Sequence, residues 1–317
     1  MKLWLAFGCL GIVACGSSGQ TTTTMAHPAG HGGQSSGGSG GNGGVGGSLL
    51  GGILGGGPSA SIGGTSAGGA GNPDSGEPSL DGGSILNMNP TPARVVDYAS
   101  SARHSRLIFE VDNVVGMAQR PNVATRLVQR FGQILDKPGG IEVVDDQILP
   151  TRGADFAWQD SDLADVAMQY NGDPDAETLS IHVVYVDGHY ATDTGSSKTL
   201  GISWGNLQVV IFKQTIEDGC GGLGLIGPLR EQGCEESEFG VLTHEVGHVL
   251  GLVDNGLMMV DDHKDPMHPA HDVSTACIMY WAYEGPGFFD VIKTKILNQS
   301  QPLTFCQHCL DDINAVK

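Results

Sequence analysis

The chain has 317 residues and carries 16 Lys and Arg against 35 Asp and Glu, a formal net charge of −19. So large an excess of acid repels phosphate backbones and excludes nucleic acid as a partner. Hydrophobic residues make up 39 % of the chain, yet it also holds 50 glycines, so a core-forming part must be joined to a part that forms no core.

The first residues read as an export signal. Met1-Lys2 is a short positive start, Leu3 to Val13 is apolar, and Ile12-Val13-Ala14-Cys15 has the form of a bacterial lipobox. The apolar run is too short to span a bilayer. Cleavage before Cys15, with lipidation of its thiol and amine, makes residues 1–14 a lipoprotein signal peptide and anchors the rest to a membrane by acyl chains. With Gly16 following, nothing argues for inner-membrane retention, so an outer membrane or cell-surface location is expected. Gly16 to Ser84 contains 26 glycines with Ser and Thr runs and few aromatic or charged residues, too little apolar surface to offset the entropy of ordering. Residues 15–91 are thus expected to be a disordered tether, and a Gly/Ser coil of that length spans roughly 45 to 50 Å.

From residue 92 to residue 317 the composition is that of one globular domain. Arg106 to Asp112 reads as a strand, Pro121 to Lys137 as a helix opened by proline, and Ile141 to Val144 as a short strand. Leu163 to Tyr170 reads as a helix, Ser180 to Val186 as a buried strand and Leu207 to Lys213 as another. Cys220 and Cys234 flank a glycine-rich loop, and in an exported chain a disulfide between them pins it. Glu238 to Leu252 reads as a helix with Ser237 as its N-cap and Gly251 as its stop, followed by a loop-rich stretch. Pro302 to Val316 has the pattern of a closing helix. The fold class expected is α+β.

Chemistry concentrates in His244-Glu245-Val246-Gly247-His248. Residues four apart share one helix face, so His244 and His248 can grip one metal ion with Glu245 beside it. Zinc with three protein ligands keeps a position for water and lowers that water's pKa to about 7. Glu245 is then placed to take the proton as general base and to pass it to a leaving amine.

With Gly251 three residues on, the pattern resembles the metzincin metalloproteases, whose motif is HExxHxxGxxH or, in some bacterial members, HExxHxxGxxD. The last position here is Asp254. Cys277-Ile278-Met279-Tyr280 resembles the Met-turn, in which a methionine packs beneath the metal-binding histidines. The longer string His271 to Met279 resembles the HC-x4-C-x-M segment of archaemetzincins, with Asp272 where that pattern has its first cysteine and with an insertion between Gly251 and His271. The resemblance implies a metzincin-like mixed twisted sheet with a long helix, an active-site helix and a loop-rich C-terminal subdomain. It also implies zinc as cofactor and a protein or peptide as substrate.

The third ligand stays open. His271 fits the distance to the Met-turn and Asp254 the distance from the helix, while His263 and His268 lie in the insertion. The resemblance further implies a second, structural zinc built from Cys277 with Cys306 and Cys309, with Asp272 or His308 as fourth ligand. A disulfide between two of these cysteines is the other arrangement. The tyrosine that stabilises the transition state in some metzincins lies two residues after the methionine. Tyr280 and Tyr283 do not match that position. Three rivals stand beside a metzincin-like peptidase: a gluzincin protease using Glu284 as third ligand, a non-peptidase zinc hydrolase, and a surface binding protein with a structural metal site.

Overall fold

The computed structural model describes residues 92–170, 177–195 and 197–317, so the signal peptide, Cys15 and the tether lie outside the described residues. Helix α1 (Pro92–Ala99) leads into a five-stranded sheet in the order β2-β1-β4-β7-β6. Strands β1 (Arg106–Val114), β2 (Gly140–Leu149), β4 (Thr178–Val186) and β7 (Gln208–Phe212) run parallel, and β6 (Gly201–Trp204) closes one edge antiparallel to β7. A second, two-stranded pairing joins β3 (Ala157–Trp158) to β5 (His189–Tyr190).

Parallel strands covered on both faces read as continuous apolar runs. Strand β4 is such a run, buried at every residue. Successive side chains alternate between its two faces. Ile181, Val183 and Tyr185 join Phe109, Val209 and Ile211 in the larger core beneath α2 (Pro121–Ile134) and α5 (Pro228–Val249). Val184 and Val186 join Val210, Phe212 and Trp158 in a smaller core covered by Leu163 and Val166 of α3 (Asp160–Tyr170). Helix α2 turns Val123, Leu127 and Phe131, spaced by one helical turn, onto the sheet. Among the described residues no helix is long and apolar enough to cross a membrane.

Helix α5 departs from the sequence reading. It begins at Pro228, with Gly227 before it at φ +55°, rather than after Ser237. Proline suits a first turn whose N–H groups have no helical partner. Ser237 lies inside the helix, fully buried, and donates its hydroxyl to the Gly233 carbonyl at 2.8 Å, the bond a serine makes back along a helix when it is not capping one. Glu238, also fully buried, accepts hydrogen bonds from Lys213 Nζ and from the Arg120 backbone N–H at 2.9 Å, which ties α5 to the end of β7 and to the start of α2. Burial is the first cause that pushes the Glu238 carboxyl above its usual range, and the Lys213 ammonium opposes it. Helix α4 (Lys213–Gly221) is joined to α5 by the Cys220–Cys234 disulfide.

The closing helix is shorter than its sequence pattern suggests. Helix α7 covers Gln307–Asn314, and the residues before it pair as extended chain: Thr304 bridges Cys277 in parallel, and its carbonyl accepts the Ile278 N–H at 2.9 Å. Helix α6 (Gly287–Leu297) lies between these elements and packs on α5. Its two phenylalanines occupy glycine notches. A Cβ on Gly240 would stand 2.4 Å from Phe288 Cζ, and one on Gly219 would stand 2.2 Å from Phe289 Cε2.

Overpacking a tight contact of this kind costs about 1–3 kcal/mol. Gly240→Ala is therefore expected to lower the unfolding free energy by that amount, read as a lower urea midpoint at unchanged slope, and the additional change Phe288→Leu to restore most of it. An unchanged midpoint for Gly240→Ala would contradict the docking of Phe288 on α5.

Candidate metal centre

Helix α5 carries His244 and His248 on one face near its C-terminal end. Gly251 then takes φ +77°, and a Cβ there would lie 2.6 Å from Val95 Cγ1 and 2.9 Å from the Leu257 backbone nitrogen, so only glycine makes this exit from the helix. Val253 and Asp254 follow at φ +56° and +60°. The inserted segment returns braced by backbone pairing: Lys264 bridges Asp272, Asp272 bridges Tyr280, and the Asp265 N–H donates to the His271 carbonyl at 2.7 Å. This brings His271 to the face of α5 that bears His244 and His248.

A ligand atom from each of His244, His248, His271 and Glu284 lies within 4.8 Å of the others. His248 Nε2 is 3.1 Å from His244 Nε2. Glu284 Oε1 lies 3.4 Å from His244 Nε2, 3.3 Å from His248 Nε2 and 2.8 Å from His271 Nε2. The tautomers follow from the outer hydrogen bonds. His244 Nδ1 is 2.6 Å from the Ile278 carbonyl and His271 Nδ1 is 3.0 Å from the Pro269 carbonyl. A carbonyl only accepts, so both Nδ1 atoms carry the proton, and both neutral rings turn Nε2 lone pairs inward. His271 Nε2 is buried without a hydrogen bond of proper geometry, although the Glu284 carboxylate is near. Inward lone pairs and a carboxylate oxygen repel one another unless a cation lies between them, and the donor set suits zinc.

Burial pushes the His248 imidazole down to about 4, with the Glu284 carboxylate opposing that shift. Burial also disfavours charge on His271, but there the neighbouring Glu284 carboxylate prevails and raises its pKa. Glu284 is held well below the usual carboxylate range: burial works against this and is outweighed by the three imidazoles. Glu245 shows the opposite balance, raised well above the carboxylate range by burial first and then by the nearby Glu284 charge.

Glu245 Oε1 is buried without a hydrogen-bond partner, and its residue lines an open cleft of about 810 Å³ together with Gly201, Ser203, His248, His271 and Trp281. Gly201 makes room for it: a Cβ there would lie 2.7 Å from Glu245 Cγ and 2.9 Å from Oε1. Met279 is fully buried against the helix beneath the histidines, at Gly247, where a Cβ would stand 2.3 Å from Met279 Sδ. The close approach also positions the Ile278 carbonyl that orients His244.

Other sequence-derived candidates are placed elsewhere. Asp254 is half exposed and bonded to Lys264 Nζ. His268 stacks on Trp281 and bonds Asp265 at 3.1 Å. His263 is buried between two carboxylates, with Nδ1 2.7 Å from Asp272 Oδ2 and Nε2 2.9 Å from Asp312 Oδ2. Glu284, weighed from sequence only as the third ligand of a gluzincin, stands beside all three histidines at the end of a short 3-10 turn, Trp281–Glu284. Its one sequence signal is that it follows the Met-turn closely.

A second cluster lies where α7 begins. Cys277, Cys306 and Cys309 are free thiols, with Cys277 Sγ 3.7 Å and Cys306 Sγ 3.6 Å from Cys309 Sγ. Asp272 Oδ2 is 3.0 Å from Cys306 Sγ and 3.8 Å from Cys309 Sγ. His263 is also within reach of Asp272, Cys306 and Cys309. Both of its nitrogens bond carboxylates, so it orients Asp272 beside Cys306 and Cys309. His308 packs against His263 with the rings tilted by 35° and their centroids 5.3 Å apart.

The tautomers are open to direct test. Long-range 15N–1H correlation spectra of the metal-free chain at neutral pH should show His244 and His271 protonated at Nδ1. Protonation at Nε2 of either ring would contradict the inward-facing lone pairs.

No protein-family model and no curated protein matches the chain. Among solved structures, the chain is similar to an archaemetzincin from Methanopyrus kandleri at 13% identity and a TM-score of 0.39, over 68% of this chain and 97% of that one. It is also similar to a zinc-dependent peptidase from Methanocorpusculum labreanum at 16% identity and a TM-score of 0.41, over 65% of this chain and 100% of that one.

Proposed function

We propose that this chain is a zinc-dependent endopeptidase whose metal is held by His244, His248 and His271, with Glu245 as general base. The observation that carries the reading is the set of inward-facing imidazole nitrogens at a cleft also lined by Glu245, whose buried Oε1 has no hydrogen-bond partner. Zinc at this position supplies a Lewis acid for a carbonyl and a water acidified to a pKa of about 7.

The chain's own groups account for the remaining work. Glu245 Oε1 takes the water's proton and returns it to the leaving amine, and its raised pKa suits a group that must carry the proton between the two steps. Gly201 keeps space for that carboxyl. Strand β6 is the last strand of the sheet on the cleft side, and Gly201, Ile202 and Ser203 line the cleft. An unpaired strand edge presents alternating N–H and carbonyl groups to which an extended peptide can add, so a peptide substrate fits better than a small ester or amide. The fold resembles that expected of a metzincin, and membership of that group is part of the proposal.

A second, structural zinc belongs to the same reading, held by Asp272, Cys277, Cys306 and Cys309. Donors on one tetrahedral zinc, with zinc–sulfur bonds near 2.3 Å, have sulfurs roughly 3.8 Å apart. The sulfur–sulfur distances of 3.6 and 3.7 Å fit that spacing. The lipobox ending in Cys15 supports export and anchoring of the enzyme at a bacterial membrane surface.

Glu245→Gln should retain zinc and lower turnover of casein or a peptide library by about 10²- to 10⁴-fold. Undiminished, chelator-sensitive cleavage by this variant would remove Glu245 from the mechanism. In alkylation mapping, Cys277, Cys306 and Cys309 should become reactive only after chelation. Recovery of a peptide linked by a disulfide between two of them would contradict the second zinc.

A further inference from the structure

Glu284 is not needed for a three-histidine zinc site, yet its carboxylate is the group nearest to all three rings. Its distances determine its role. Around a tetrahedral zinc with bonds of 2.0–2.1 Å, neighbouring donor atoms lie roughly 3.3 Å apart, whereas an atom standing in the metal's own place would be about 2 Å from each donor. Glu284 Oε1 is 3.4, 3.3 and 2.8 Å from the three Nε2 atoms, and the His244 and His248 Nε2 atoms are 3.1 Å apart. Oε1 therefore stands at a corner of the donor polyhedron. The ligand atoms of all four residues lie within 4.8 Å of one another, within the span of one coordination shell.

We propose that Glu284 is a fourth protein ligand of the metal, closing the site at rest, and that it must swing away before a substrate can enter. The inference rests on the reading of the three histidines as a metal centre. A zinc site with four protein ligands has the closed shell of a structural site, and a catalytic site needs an open position. In this chain the difference between the two states is one side chain. Glu284 can move without disturbing the fold: its side chain is 41% exposed, and it is followed by Gly285-Pro286-Gly287 along the cleft wall. Its backbone carbonyl accepts the Leu200 N–H at 3.4 Å, just before β6, so a peptide adding to that edge passes beside the residue it must displace. His244 and His271 are each oriented by a carbonyl from outside the cluster and keep their positions when the carboxylate leaves.

Cobalt titration of the full chain and of its Glu284→Ala and Glu284→Gln variants tests this, because thiolate ligation gives a charge-transfer band and the histidine site does not, so the two sites are followed separately. Outer partners of ligands change metal affinity by about 10–100-fold, and a direct ligand should do no less. Both variants should bind cobalt at the histidine site at least about tenfold more weakly, with an altered visible band, and their metal-loaded forms should cleave peptide faster than the wild type. An unchanged affinity and band in both variants would overturn the ligand assignment. Weaker binding with slower cleavage would overturn the closing role and place Glu284 in the chemistry. If the wild type shows no cobalt band without thiolate character, the metal centre itself fails, and the inference with it. Unfolding midpoints within error of the wild type for Glu284→Gln ensure that the comparison is between folded chains.

Discussion

The structure around the cleft depends on mutual repulsion that a cation can relieve. His244 and His271 each spend their one ring proton on a carbonyl outside the cluster, and so face each other with lone pairs only. Adding the Glu284 carboxylate makes the cluster still richer in electrons. Such a group is unfavourable in a buried site unless something positive sits among the donors. The outer carbonyls leave the Nε2 lone pairs of His244 and His271 free to face a cation.

Positioning these groups accounts for much of the rest of the chain. Helix α5 is buried without a break from Ser237 to Val249 and carries both core residues and site residues. The surrounding elements approach it at glycines: Phe288 at Gly240, Met279 at Gly247 and Val95 at Gly251. The fully buried Glu238 fastens the same helix to α2 and β7. Rigid support of this kind lets two histidines one turn apart hold a fixed spacing, and it lets the Cys277–Tyr280 turn set the orientation of one of them through the Ile278 carbonyl.

What could be read in the sequence follows from how local each determinant is. Strands β1, β4 and β7 show as apolar runs, and the pair His244 and His248 needs only the period of a helix. The exit at Gly251 was visible for the same reason, a glycine where a helix must stop. Helix α6 was not visible, because its placement comes from glycine notches far away in the chain rather than from its own periodicity. The first turns of α5 read as loop because Glu231, Gln232, Glu235 and Glu236 are polar and Ser237 mimics a cap. His271 and Asp254 could not be separated from sequence. The return path of the insertion is decided by the bridges Lys264–Asp272 and Asp272–Tyr280, and spacing carries no trace of them. Glu284 is hidden for a related reason: its approach to the histidines depends on the 3-10 turn Trp281–Glu284.

Anomalous diffraction at the zinc absorption edge from crystals of the chain grown with zinc bears most directly on the metal centre. The account predicts a peak within bonding distance of His244 Nε2, His248 Nε2 and His271 Nε2. A peak bound by Asp254 in place of His271, or no peak between the three rings at full zinc loading, would contradict it.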